Sequence, residues 1–298
     1  MVDSGSNAPR TNGGADKVEA PVRCRVGVAL SGGAARSMAH IGVLKAFDEG
    51  GVPVDALAGT SGGAIIGVLY AAGVPVPRME EIARSLRRRD LGTISLSRMG
   101  LISIRPFQAV LEAVTGPLRL ETLRVPLAIV ATNLVRRERR VFRTGDAIRA
   151  ALASASMPHV YRPMDIDGEL YTDGGVVEYL PATALEAYRP LVRVGVHLLP
   201  EDRYRSKPRH LGQVMATIVN IVARANSAST SQSLDVTIRP AVAPFAPFDL
   251  TNAAGLVEAG YHAGRREVPR ILSLLEERER WMGELGPEPE GTASRDAR

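Results

Sequence analysis

The sequence has one cysteine, Cys24, and so nothing within the chain to pair it with. Disulfide stapling and a multi-cysteine metal site are thereby excluded, which leaves Cys24 to core packing at the edge of a strand. Aromatic residues make up only 4% of the chain. Nucleic-acid binding would want them interleaved with basic residues; neither that pattern nor a helix-turn-helix or zinc spacing occurs, so nucleic acid is not an expected partner. No run of 18 uncharged apolar residues exists, so no membrane-crossing helix is expected. No basic segment followed by an apolar stretch opens the chain, so no secretory signal is read. The phosphate-cradling G-x-x-x-x-G-K-[ST] loop and the dinucleotide G-x-G-x-x-G fingerprint are both missing. No internal repeat is evident. A soluble, cytoplasmic protein is the expectation.

What is present suits one large α/β domain. With 298 residues, 45% of them hydrophobic, the chain can bury a full core. Residues 1–22 and 283–298 are polar, without apolar periodicity, and read as disordered arms around a domain at 23–282. The net charge is +5, carried by arginine far more than lysine. It is bunched in RSLRRRD (84–90) and VRRERR (135–140). Such runs are solvated faces, or else a peripheral contact with an anionic membrane.

Strand and helix signals alternate. RVGVALSGG reads as a buried strand running into glycines, and MAHIGVLKAFDEGG has apolar residues near helical spacing up to the Gly50-Gly51 stop. The pattern repeats at once, with VDALAG as a strand, TSGG as a turn and AIIGVLYAAG as a helix ended by Gly73 and Pro75. Farther on, VPLAIVATNL is a central strand with VFRTG as its partner, DAIRAALASA a helix capped by Asp146, and DIDGELYTDGG a hairpin. VRVGVHLL and DVTIRP read as further strands around the amphipathic helix LGQVMATIVNIVARANSA. Residues 78–107 mix arginines with short apolar pieces and form a helical insertion or a surface lid. This alternation implies a three-layer α/β/α fold with a mostly parallel central sheet.

Three elements could carry chemistry. Gly59-Thr60-Ser61-Gly62-Gly63 matches G-x-S-x-G between a strand and a helix. In a nucleophile elbow the serine sits on a strained turn that needs small neighbours, here Gly59 and Gly63, and the amide of Gly62 can point at a developing oxyanion. A plain helix cap in a glycine-rich turn would give the same match. The second element, LSGGAARS, lets successive backbone N–H groups converge, as an oxyanion hole requires; a tight strand-to-helix turn reads alike. The third is Asp173-Gly174-Gly175, either a turn or the base that a serine needs. The five histidines, His40, His159, His197, His210 and His262, are rival bases. A triad in α/β-hydrolase order would need one of the last three, and none stands in a motif.

These elements in this order, SGGAARSMAHIGVLKAF, then GTSGG, then DGG, resemble the patatin-like phospholipases. The likeness runs on through ATNLVRRERRVFRTGDAIRAALASASMPHVYRP, with its S-x-S-x-P turn, and covers roughly residues 24–275. The resemblance implies a serine acyl hydrolase with Ser61 as nucleophile and Asp173 as base in a dyad. It also implies an oxyanion hole from the amides of Gly32, Gly33 and Ala34, a lipid or acyl-ester substrate, and no metal or cofactor. A soluble esterase or thioesterase, or a regulatory adaptor without turnover, would share these motifs. The family loop reads G-G-G-x-[RK]-G, with Arg36 at its basic position as loop anchor, lipid-phosphate contact or surface residue. Here Ala34 replaces the third glycine and Ser37 the last. If position 34 needs positive φ, alanine costs about 1–2 kcal/mol there. After DGG, Glu178 and Tyr179 precede Pro181 where the family commonly has an asparagine.

Overall fold

A computed structural model describes residues 24–97, 100–200, 207–209 and 211–284. The expected N-terminal arm, and the C-terminal arm beyond residue 284, lie outside the described residues.

The chain starts with two strand–turn–helix units. Strand β1 (Val26–Leu30) leads through a 3-10 turn at Ala34–Ser37 into α1 (Met38–Gly50), and β2 (Ala56–Thr60) leads into α2 (Gly62–Ala71). Every residue of β1 and β2 is buried, as expected of strands covered on both faces. The arginine-rich stretch folds as α3 (Val76–Ser85), the single turn α4 (Arg88–Leu91) and a two-stranded ribbon, β3 (Thr93–Ser97) and β4 (Gly100–Ser103); α5 (Arg105–Thr115) follows. Next come β5 (Leu127–Asn133), β6 (Glu138–Phe142), α6 (Ala147–Ser154) with Asp146 as its side-chain cap, and the hairpin β7 (Met164–Ile166) and β8 (Glu169–Thr172). Strand β9 (Val192–Val196), α7 (Leu211–Thr230), β10 (Val236–Ile238) and α8 (Ala253–Glu284) complete the order.

Five strands run parallel in the order β10-β9-β1-β2-β5, and β6, β7 and β8 add an antiparallel side. The two faces are covered unequally. Val26, Val28, Leu30, Leu57 and Ile129 meet the large core shared with α1, α2, α6 and α8. Ala29, Ala58 and Ala128 face the other way, against Leu180, Ala184 and Leu185 around the 3-10 turn Thr183–Tyr188. Alanines on that face let so short a turn lie close to the sheet.

The register of β5 positions the site. Residues 129–130 pair with both β2 and β6, and residues 132–133 with both β6 and β8. Because a strand has only two edges, β2 and β8 share one edge of β5 and meet head-on. Strand β2 ends with Thr60 opposite Val130, while β8 ends with Thr172 opposite Thr132. One residue farther along each, Ser61 and Asp173 both arrive at the level of Ala131.

Candidate active site

Ser61 has φ 54° and ψ −126°, a backbone region that costs an L-residue roughly 1–3 kcal/mol. Packing holds it there. A side chain on Gly59 would strike Ala64, and one on Gly63 would strike the carbonyls of Leu30 and Ser31, so the helix can come that close only with glycine at both places. The Ser61 N–H donates to Ser154 Oγ at 2.7 Å, and Ser154 Oγ–H donates to the Val130 carbonyl at 2.5 Å. The end of α6 thus bolts the elbow to β5.

Ser61 Oγ lies 2.7 Å from Asp173 Oδ2 and donates to it. The other carboxylate oxygen accepts the Gly175 N–H at 2.7 Å. Asp173 itself is strapped at three points. Its N–H donates to the Ser156 carbonyl, Thr132 Oγ1 donates to its carbonyl, and the preceding Thr172 Oγ1 donates to Ser156 O. Ser154 and Ser156 of the S-x-S-x-P turn therefore position the two halves of the pair. Sequence reasoning gave them no role, although two serines spaced by one residue before Pro158 were the visible signal. Burial pushes the Asp173 carboxyl up from 3.8 to about 6, against the opposing hydrogen bonds from Ser61 and Gly175.

The glycine loop differs in one respect from expectation. The Gly32 N–H donates to the Tyr179 carbonyl at 3.0 Å and so is not available to a substrate oxygen. No acceptor among the described residues takes the amides of Gly33, Ala34 or Gly62. Ala34 has φ 50°, the left-handed conformation that costs alanine more than glycine. Arg36 is 5% exposed, and its Nε and Nη2 both donate to the Phe245 carbonyl, at 2.8 and 2.6 Å. It anchors the loop that carries Phe248 and Leu250. Gly174 packs against Val130 O, where a side chain would collide. Glu178 is buried, pairs with Arg139, and accepts from Thr183 N and Oγ1.

Among the described residues no histidine is hydrogen-bonded to Ser61 or Asp173. His40 is fully buried on the Ser31 carbonyl, and burial lowers it to about 4. His197 accepts from Arg239 and is lowered to about 4 by burial and by Arg239 and Arg224. His262 is exposed beside Glu258, and His159 sits in a turn at φ 72°. His210 lies outside the described residues. Among the described residues, no group of three or more His, Cys, Asp or Glu side chains could hold a metal ion.

A cavity of about 960 Å³, including space open to solvent, is lined by Ser61, Gly62 and Asp173, by Ser37 and Tyr161, and otherwise by apolar walls. Asp173 is the only charged residue among the described residues lining it. Ile65 and Leu69 of α2, Met79 and Ile82 of α3, and Phe107 and Leu111 of α5 form the walls. Met79 and Leu111 are completely enclosed, whereas Phe248 is 47% exposed and marks the solvent end. The 78–107 stretch thus supplies pocket wall through Leu86, Leu91 and Ile104 as well as exposed arginines.

The fold and this geometry define an α/β protein with a strained serine at a strand-to-helix elbow, a carboxylate bonded to it and a glycine loop at one end of a mostly parallel sheet. The model of the family described as Patatin-like phospholipase matches residues 28–186, more than half of the chain, and the chain belongs to that family. An uncharacterized NTE family protein of Mycobacterium tuberculosis is 33% identical over 180 residues, 58% of this chain and 49% of that one. The neuropathy target esterase sws of Drosophila melanogaster is 30% identical over 168 residues, 54% of this chain and 12% of that one. The chain thus spans about half the length of the mycobacterial relative and a small part of the fly protein. The crystal structure of VipD from Legionella pneumophila aligns at a TM-score of 0.46 with 14% identity, over 87% of this chain and 68% of that one.

Proposed function

We propose that this protein is a serine acyl hydrolase that cleaves acyl esters of lipids, phospholipids first among them, through a Ser61–Asp173 dyad. The observation that carries this reading is the 2.7 Å hydrogen bond from a strained, buried serine to a buried carboxylate facing an apolar cavity. A carboxylate held near 6 is ionised at neutral pH and basic enough to take the serine proton as Oγ attacks the ester carbonyl. The oxyanion formed is met by the amides of Gly33, Ala34 and Gly62, aided by the positive end of α2. Protonated Asp173 then gives its proton to the leaving alcohol. Water, activated by the same carboxylate, cleaves the acyl-Ser61 ester.

The pocket favours a lipid over a small ester, because its enclosed apolar walls match an acyl chain and offer no charge to a polar substrate. An esterase or thioesterase of shorter chains would use the same pair, and the esterase named among the relatives supports ester hydrolysis in either case. A regulatory adaptor would keep the fold without turnover. A fluorophosphonate probe should label Ser61 in the wild type, not in Ser61→Ala, and p-nitrophenyl ester hydrolysis should be lost in Ser61→Ala and Asp173→Asn alike. Turnover that survives Asp173→Asn would reject the dyad. An unlabelled, inactive wild type would leave the adaptor.

A further inference from the structure

Ser37 stands at the start of α1 with only 4% of its surface exposed, and its hydroxyl has no hydrogen-bond partner. It forms no side-chain cap on the helix it precedes. A buried hydroxyl gives up its bonds to water, so leaving it unpaired works against stability.

Two glycines fix where this hydroxyl is. A Cβ on Gly62 would collide with Ser37 Oγ, and a Cβ on Gly33 would lie 3.1 Å from it. The oxygen therefore sits between the glycine loop and the elbow, the two stretches whose amides at Gly33, Ala34 and Gly62 have no acceptor among the described residues. Ser37 also lines the cavity with Ser61 and Gly62. Unlike an amide, a hydroxyl can rotate its proton about the Cβ–Oγ bond. It can follow an ester oxygen as that oxygen moves from the plane of the carbonyl to its place in the tetrahedral intermediate.

We propose that Ser37 Oγ–H is an additional donor of the oxyanion hole, bonding the former carbonyl oxygen of the acyl ester beside the amides of the loop and elbow. The proposal rests on the serine acyl hydrolase reading. No proton leaves Ser37 during the cycle; the Ser61 proton passes to Asp173, and Ser37 only lends a hydrogen bond that strengthens as negative charge develops. Ser37 is thus a catalytic residue of this chain, and its contribution falls on the transition state rather than on binding.

The test uses the full chain with Ser37→Ala and Ser37→Gly, assayed on p-nitrophenyl butyrate and by the rate of fluorophosphonate labelling of Ser61. Loss of one oxyanion donor should lower kcat about 100-fold in both variants and leave KM within about twofold. Labelling should slow in parallel, because the phosphoryl oxygen occupies the same hole. Thermal melting checks that the variants fold, and Ser37→Cys, close in volume and a weak donor, replaces any that does not; its kcat should fall likewise. A kcat within about twofold of wild type, a rise in KM at constant kcat, or unchanged labelling would overturn the role of Ser37. A wild type that neither turns over the ester nor takes the label would overturn the hydrolase reading instead.

Discussion

Asp173 is costly to the fold. Its carboxyl titrates near 6 in the folded chain against 3.8 for an unperturbed aspartate, so between these values the folded state holds more proton than the unfolded one. Stability therefore falls as pH rises through this window, by about 3 kcal/mol once Asp173 is fully ionised. Asp173→Asn removes the buried charge and can keep the bond to Gly175. Its melting temperature should exceed that of the wild type at pH 7, and the gap should close towards pH 4; a constant gap would show that Asp173 titrates normally. For the same reason kcat/KM of the wild type should fall below pH 6 as the base becomes protonated. Arg36 illustrates what a sequence leaves open. Three roles fitted one arginine, and the structure shows it bonded twice to the Phe245 carbonyl, a contact no local pattern announces.

At the scale of elements, α3 and α5 set the length of the pocket. Met79 and Leu111 are buried in its wall, far in exposure from Phe248. Met79→Phe should shorten the space, lowering kcat/KM for long-chain p-nitrophenyl esters at least about 10-fold relative to the butyrate, since each lost methylene contact is worth roughly 1 kcal/mol. An unchanged preference would place the acyl chain elsewhere. Strands β1 and β2 and the turns after them were legible because continuous apolar runs ending in glycines have few other solutions, whereas the ribbon of β3 and β4 was not read from its sequence. The wall was not. Residues 78–107 alternate arginines with isolated apolar residues, and nothing local distinguishes Leu86 and Leu91, which line the cavity, from Ile94, which is 91% exposed. The pairing of Ser61 with Asp173, 112 residues apart, was legible only through family resemblance, because the meeting of β2 and β8 on one edge of β5 is a property of topology. The bond from the Gly32 amide to Tyr179 O was not legible either, because that acceptor comes from a still more distant part of the chain.

For the whole molecule, the proposed substrate lies in a lipid surface. Among the described residues no helix is long and apolar enough to cross a membrane. Arg88 and Arg89 are exposed, and the charge of Arg88 reaches Asp249, next to Phe248 at the solvent end of the cavity. Arg87 serves another purpose, since its guanidinium donates to the carbonyls of Arg84, Ser85 and Leu86 at the end of α3. Arg88→Gln with Arg89→Gln should weaken binding to phosphatidylglycerol vesicles by roughly 1 kcal/mol per arginine, more at low salt than at high, with no change on a soluble ester. Unaltered vesicle binding would assign these arginines to solvent alone. One last consequence follows from where the cavity walls come from. Ser61, the carboxylate and the loop amides sit at strand ends scattered through the first 175 residues, but many of the apolar wall residues come from two neighbouring pieces of chain, Met79 to Leu91 and Ile104 to Leu111. Such a cassette can drift, or be exchanged between relatives, without disturbing the register that brings Ser61 to Asp173, so selection can alter diet while leaving chemistry untouched.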